Sequence, residues 1–404
     1  MRVRQHFVRL HRWAGLVTAA FLLMAGLTGS LLAFEDSLEA WLNPALFVVD
    51  ARPATSALDP FVLRERAQLA APPQALVDTV ILNRHDGRSL RFILSARIDP
   101  KTGQPFALDV DELFMNPYSA AVLGTRLWGA SLFRRETAIS FLYRLHYSLA
   151  MSAPWSARVL GAVGLLWTLN CLIGFGLTLP RRAPARSSTG SLPGWWRRWR
   201  SAWRVAPSGS VARLMLDLHR APGLWLWPVL LVFAWSSVML TLRDSVYRPV
   251  MSLGVVSQDL WAGVPSRPVP MAQPVLDWRA AHAAGRQALS TLAREKNFVV
   301  EAERDLRLDR AHGVYVYRVR SSLDIRDAAG ATAVLIDADS GALRGFAGGG
   351  KGNVLEDWLG ALHMARVFGT PYKLFVALLG LVVALLSATG VLMWVRRTRT
   401  RAAS

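Results

Sequence analysis

Four stretches of the chain carry no charged residue, and charges close each of them: Trp13 to Phe34, Val159 to Pro180, Ala221 to Leu242 and Leu374 to Val395. Each is 22 residues long. At about 1.5 Å per residue, a helix of that length reaches roughly 33 Å, enough for the hydrocarbon core of a bilayer. Buried helices of soluble proteins seldom run so far without charge. The expected fold class is therefore membrane α-helical, with four transmembrane helices. The 52% hydrophobic content decides little beside this, because a soluble chain is about 45–50% apolar. Arg2 and Arg4 before the first run suggest a signal peptide, but the run is longer than a signal core and Glu35 and Asp36 follow it. A similar segment recurs at Ala221 to Leu242. The first run is read as an uncleaved helix.

The net charge of +19 is nearly all arginine. Its placement argues against nucleic acid as a partner. Arg2, Arg4, Arg9 and Arg12 precede the first span. Arg181, Arg182, Arg186, Arg197, Arg198, Arg200, Arg204, Arg213 and Arg220 lie between the second and third, and Arg396, Arg397, Arg399 and Arg401 follow the fourth. These clusters fall on one side of a four-span protein, as the positive-inside rule requires, so both termini are expected in the cytoplasm. The alternation of Trp and Arg from Trp195 to Arg204 reads as an interfacial helix lying on anionic lipid. The one cysteine, Cys171, lies within the second span, so no disulfide forms within the chain.

About 120 residues separate the first two spans and about 130 the last two, too many for loops. Each interval is expected to be a small α+β domain on the outer face. In the first, a helical stretch from Pro60 to Ala71 precedes strands at Asp78–Leu82, Ser89–Ser95 and Phe106–Val110. In the second, a helix from Asp277 to Arg294 precedes strands near Phe298–Glu303, Val314–Val319 and Ala331–Ile336. The chain divides into residues 1–40 (N-terminus and first span), 41–140 (first outer domain), 141–180 (a histidine-bearing segment and second span) and 181–218 (basic loop). Residues 219–245 (third span), 246–355 (second outer domain) and 356–404 (a second histidine-bearing segment, fourth span and basic tail) complete it.

The two halves match each other. His11 and His219 each precede an apolar run and are followed by Arg (Arg12, Arg220), by Gly-Leu (Gly15-Leu16, Gly223-Leu224) and by Asp-Ser (Asp36-Ser37, Asp244-Ser245), all at one offset of 208. His146 and His363 each follow Leu and have Pro eight residues later, at Pro154 and Pro371. Asn116 to Gly124 matches Asp337 to Gly345 as a turn between short strands. The halves read as parallel repeats of a two-helix unit with an inserted outer domain.

Four of the eight histidines thus hold equivalent places. Pseudo-symmetry pairs His11 with His219 at the inner membrane edge and His146 with His363 at the outer edge. Two neutral imidazoles facing each other between apolar helices suit axial ligation of haem iron. Two histidines alone make a poor closed site for a bare transition metal. Arg12 and Arg220 are candidates to hold haem propionates. The plainer reading of one such histidine is a helix cap or a headgroup-level residue, and recurrence as two pairs favours ligation. His6 rivals His11 but has no counterpart in the second half. His85, beside Asp86-Gly87, reads as a turn residue, and His282 and His312 as domain-surface residues, either of which could meet a ligand. Gly348 to Gly352 lacks the setting of a phosphate loop and reads as a link. Gly161, Gly164, Gly174 and Gly176 read as helix-packing glycines.

The combinations His11-Arg-Trp-Ala-Gly-Leu16 and Leu218-His-Arg-Ala-Pro-Gly-Leu224, the Leu-His pairs at 145–146 and 362–363, and the small outer units resemble the PepSY-associated transmembrane family over nearly the whole chain. That family includes bacterial inner-membrane siderophore reductases. The resemblance implies periplasmic PepSY-like domains, two b-type haems, and electrons crossing the membrane to reduce a ferric siderophore or similar chelate. The donor, which the residues do not name, is a quinol or a protein. The rival from another class is a membrane-anchored PepSY sensor or peptidase-inhibitor module without redox activity. A transporter is disfavoured because the spans carry no ionisable residue and only Asn170 stands out as polar.

Overall fold

A computed structural model describes residues 2–50, 57–180, 192–206, 210–325 and 330–402. Arg181, Arg182 and Arg186 of the basic loop lie outside the described residues, as do the side chains of Arg2 and Arg401. In chain order, the elements begin with α1 (Arg2–Leu32), α2 (Glu35–Leu42), α3 (Pro44–Phe47) and α4 (Pro60–Ala70). Strands β1 (Ala75–Val77), β2 (Thr79–Ile81), β3 (Leu90–Ala96), β4 (Glu112–Met115) and β5 (Val122–Arg126) follow. Then come α5 (Ala138–Ser148), α6 (Trp155–Thr178), α7 (Leu192–Arg200), α8 (Val211–Trp225), α9 (Trp227–Thr241), α10 (Arg248–Met251) and α11 (Trp278–Lys296). The last elements are β6 (Val300–Asp309), β7 (Val314–Ser321), β8 (Thr332–Asp337), β9 (Leu343–Ala347), α12 (Lys351–His363) and α13 (Gly369–Ala402). The chain forms two compact units. One contains residues 1–34, 143–250 and 362–404, the other residues 35–142 and 251–361.

The first unit is helical. Three of its helices are long and apolar enough to cross a membrane: Val3–Leu32, Trp155–Thr178 and Gly369–Arg399. A fourth span exists if α8 and α9 count as one, and they meet at a 75° bend. The uniform apolarity of Ala221 to Leu242 hid this break. Leu226 leaves helical geometry at φ −99 and ψ 5, between Pro222 inside α8 and Pro228 in the first turn of α9. Each proline lacks an N–H and crowds the preceding turn, so the helix turns a corner instead of running through.

Close approach of helices depends on small residues. A Cβ at Gly26 would meet the backbone of Gly380 and Ala384, and one at Gly380 would meet Gly26 O. The helices α1 and α13 therefore cross backbone to backbone there, and Ser30 Oγ donates to Ala377 O at 2.7 Å across the crossing. Gly161 of α6 receives Leu242, and Gly164 receives Ser237 and Val238 of α9. Arg4 of α1 donates to Leu177 O at 2.6 Å, satisfying a carbonyl at the C-terminal end of α6.

The second unit holds two antiparallel sheets, ordered β1-β3-β4-β5 and β2-β6-β7-β8-β9. The segment expected as one strand at Asp78–Leu82 instead serves both. Val77 pairs with Leu94 in the first sheet, and Thr79 pairs with Arg307 in the second. Asp78 between them is 5% exposed. Its carboxylate takes Nε and Nη2 of Arg310 at 2.8–3.0 Å, while Arg310 Nη1 donates to Met271 O at 2.9 Å. A buried ion pair thus stands where the chain changes sheets. The first sheet packs Leu63 and Ala67 of α4 against Val77, Phe92 and Leu113. The second packs Ala281 and Leu289 of α11 against Leu306, Tyr315, Tyr317 and Val334.

The helices start where capping chemistry allows. Asp59 accepts from Phe61 N and Val62 N ahead of α4, and Asp277 accepts from Ala280 N ahead of α11. The segment Phe106–Val110 forms no strand; the pairing falls at Glu112–Met115, which is buried throughout. The turns at Asn116 and Asp337 use the same bonds. Asn116 Oδ1 accepts from Tyr118 N and Ser119 N, and Asp337 Oδ1 from Asp339 N and Ser340 N. Gly348 to Gly352 is packed. Gly352 opens the first turn of α12 against the Val256-Ser257 backbone, and a Cβ there would clash with it.

Arg126 is 2% exposed and joins Glu39 of α2 at 3.0 Å to Glu112 of β4 at 2.6 Å. Burial pushes the Glu39 carboxyl up, against the pull of Arg126. Replacing Arg126 by Ala strands two buried carboxylates and is expected to cost about 3–5 kcal/mol. Arg91→Ala, which removes a half-exposed partner of Glu112 at 3.5 Å, is expected to cost about 1 kcal/mol or less. Thermal unfolding of the two variants against the parent checks the contrast.

Candidate functional site: two facing imidazole pairs

The helical unit brings four histidines together in twos. His11 of α1 and His219 of α8 have ring centroids 6.2 Å apart with planes inclined at 78°. His146 of α5 and His363 of α12 are 6.4 Å apart at 62°. His11 and Thr28, which bonds His146, lie on α1 seventeen residues apart, so the two pairs are separated by about 26 Å along that helix. A metal–imidazole bond is about 2.0–2.1 Å long and a ring centre lies about 1.1 Å behind its nitrogen. Two imidazoles on opposite sides of one metal ion therefore hold their centroids about 6.2–6.4 Å apart.

Ring orientation follows from hydrogen bonds at Nδ1. Thr28 Oγ1 donates to Met24 O at 2.8 Å, so toward His146 Nδ1, at 2.9 Å, it offers a lone pair. With the hydroxyl so engaged, Nδ1 carries the proton. Ser236 Oγ donates to Phe233 O at 3.0 Å and lies 2.7 Å from His363 Nδ1. His219 Nδ1 faces Leu386 O at 3.0 Å and Thr389 Oγ1 at 3.1 Å. A carbonyl oxygen can only accept, and the Thr389 hydroxyl already donates to Leu385 O at 2.7 Å. With the Thr28 and Ser236 hydroxyls bonded to their own helices, Nδ1 donates in all three rings and Nε2 is left bare, which is the ligating form of imidazole. His11 differs. Its Nδ1 and the nearby Asn170 Oδ1 are buried and have no hydrogen-bond partner among the described residues.

Glycines seat the rings. A Cβ at Gly174 of α6 would come within 2.9 Å of His11 Cε1. One at Gly29 of α1 would lie 3.1 Å from His146 Cε1, and one at Gly390 of α13 would lie 3.5 Å from His219 Cε1. His363 is instead covered by Phe233, with ring centroids at 5.2 Å. Gly174 is therefore not an ordinary helix-packing glycine: it faces an imidazole. Sequence reasoning also passed over Thr28, Ser236 and Thr389. A signal was present, because Thr28-Gly29 and Thr389-Gly390 are Thr-Gly pairs inside otherwise apolar runs. Each supplies both a bond and a seat to one ring.

A cavity of about 470 Å³ surrounds the first pair, lined by His11, Arg12, Asn170, Gly174, His219 and Arg220 among mainly apolar residues. Arg12 and Arg220 each have a buried Nε without a hydrogen-bond partner among the described residues. Arg220 is steadied by Nη2 bonds to Asp217 at 2.9 Å and Ser201 O at 2.8 Å. Asp217 is fully buried and also takes Arg213 Nε at 2.9 Å. It was missed in sequence, although no other Asp or Glu occurs after Glu136 until this point. Among the described residues, no group of three or more His, Cys, Asp or Glu is placed to hold a metal ion.

The other histidines lie elsewhere. His6 is on the exposed side of α1, and His85 is exposed ahead of the Asp86-Gly87 turn. His282 and His312 are only partly exposed. His282 Nε2 meets Glu303 Oε1 at 2.9 Å, and this bond holds the Glu303 carboxyl below its usual range. His312 Nδ1 meets Asp309 at 2.9 Å and its ring packs on Trp261 at 4.6 Å. Both fasten the second sheet.

Gly174→Ala is expected to force the His11 ring from its seat and lower the stability of the helical unit by about 1–3 kcal/mol. Gly176→Ala, where a Cβ would meet nothing within 4 Å, is expected to change stability by about 0.5 kcal/mol or less. Thermal unfolding in detergent compares them.

Comparison with known proteins adds two findings. No curated protein matches the chain. The model of the family described as the PepSY-associated TM region matches residues 8–397, an interval that contains both imidazole pairs and all the candidate spans but their extreme ends. The chain belongs to the PepSY-associated transmembrane family.

Proposed function

We propose that the chain is a bacterial inner-membrane protein that holds two b-type haems and passes electrons across the membrane to a ferric siderophore or similar ferric chelate. His11 and His219 would hold the iron of one haem, and His146 and His363 that of the other. The observation that carries this reading is the spacing of the rings, 6.2 and 6.4 Å between centroids, which is the span of two imidazoles across one metal ion. When bound, haem iron alternates between ferric and ferrous states and carries one electron at a time.

The residues have separable tasks. Thr28, Ser236 and Thr389 hold protons on the Nδ1 atoms and keep Nε2 available. The apolar lining of the cavity around His11 and His219 keeps water from that pair. Arg12 and Arg220 hold carboxylates at the cavity edge through guanidinium groups with donors to spare. The arginines that flank the spans set both termini in the cytoplasm. The two α+β regions, residues 41–140 and 246–355, are periplasmic PepSY-like domains inserted into two parallel two-helix repeats, and the chelate docks there.

A reduced-minus-oxidised spectrum of protein purified after haem-replete expression tests the reading. The expected result is b-type bands with two haems per chain, falling to one in His363→Ala. Absence of those bands, or an unchanged haem count in His363→Ala, contradicts the assignment; the former leaves a redox-silent PepSY module as the function.

A further inference from the structure

The Trp/Arg segment has no task in the function proposed above. Its helix α7 and the 3-10 turn Ser201–Trp203 carry Trp195, Trp196, Trp199 and Trp203. Neighbouring rings touch in a run, with centroids 5.2 Å apart for Trp196 and Trp199, 5.3 Å for Trp199 and Trp203, and 5.0 Å for Trp203 and Trp225. Trp199 fixes the depth of this run. Its Nε1 donates to Thr178 Oγ1 at 3.3 Å and its ring meets Phe175 at 6.3 Å, both in the last turn of α6. The tryptophans thus sit where an apolar helix long enough to span a membrane ends, at the depth where indole rings prefer to lie.

Trp196, Arg197, Arg200 and Trp203 line an open pocket of about 480 Å³. Neither Arg197 nor Arg200 has a carboxylate partner among the described residues, and the sequence holds no Asp or Glu between Glu136 and Asp217. Two guanidiniums without a carboxylate partner and two indole rings lining one pocket, at headgroup depth, complement a phosphodiester attached to apolar chains. We propose that Trp196, Arg197, Arg200 and Trp203 form a binding site for the phosphate of an anionic lipid headgroup. The segment is clasped to α8 by Arg220 Nη2 on Ser201 O at 2.8 Å and by Trp225 Nε1 on Trp203 O at 3.0 Å. A lipid held in this pocket steadies the helix that carries His219.

The test is thermal unfolding of the full chain in detergent with added phosphatidylglycerol, phosphatidylcholine or glycerol phosphate. Phosphatidylglycerol is expected to raise the midpoint by several degrees, and the other two to leave it unchanged. The rise is expected to vanish in R197Q/R200Q and to persist in R66Q/R97Q, which removes the same charge from the exposed Arg66 and Arg97. A rise that persists in R197Q/R200Q, or vanishes in both double variants, overturns the site. An equal rise with glycerol phosphate overturns the lipid as its occupant. Native mass spectrometry of W196A/W203A, with both arginines intact, supplies a second reading. Loss of retained anionic lipid supports the site, and unchanged retention contradicts it. None of these outcomes depends on haem content.

Discussion

The helical unit is organised around imidazoles that cannot turn. An imidazole that donates from Nδ1 to a helix oxygen has given up its only proton, and its second nitrogen then has nothing to offer except a lone pair. In His146, His219 and His363 the accepting oxygens belong to α1, α13 and α9 respectively. Each ring is borne on one helix and locked by another. That requirement sets how α5, α8 and α12 meet α1, α13 and α9. It also explains why hydroxyls and glycines recur at particular turns of otherwise apolar segments.

The first pair is bonded less completely than the second. Among the described residues, His11 Nδ1 and Asn170 Oδ1 have no hydrogen-bond partners, and Arg12 and Arg220 each keep an unbonded Nε beside the same cavity. Buried polar groups are rarely left so. Their concentration around one cavity is the signature of a place arranged for something that completes it. The arginine side of the cavity favours carboxylates and its apolar walls favour a flat hydrophobic body. Both preferences suit the haem assigned to this pair in the proposed function.

Much of the architecture was legible in sequence because charge is so costly in hydrocarbon that its absence over a long run has few explanations. The same uniformity concealed the corner in the third apolar run, where Pro222 and Pro228 mattered more than hydropathy. In the other unit, the helix starts expected at Pro60 and Asp277 fall within one residue of those of α4 and α11, which Asp59 and Asp277 cap. Asp78 misled, because a buried ion pair with Arg310 lets one residue change sheets, and nothing in a local window announces a partner more than two hundred positions away. The four histidines stood out through their matched places in the two halves. Their supports did not: Gly174 read as helix packing, and Thr28, Ser236 and Thr389 read as neutral polar residues. What a hydroxyl does in an apolar helix depends on which ring faces it, and that is a property of the folded bundle.

The steep inclination of the paired rings, 78° and 62°, provides the most direct test of the central claim. In ferric haem, crossed imidazole planes bring two of the iron d orbitals close in energy and produce a strongly anisotropic low-spin signal. Electron paramagnetic resonance of the oxidised, haem-loaded protein is predicted to show two such low-spin signals. A high-spin five-coordinate signal, or low-spin signals of the weakly anisotropic kind given by parallel rings, would contradict the account.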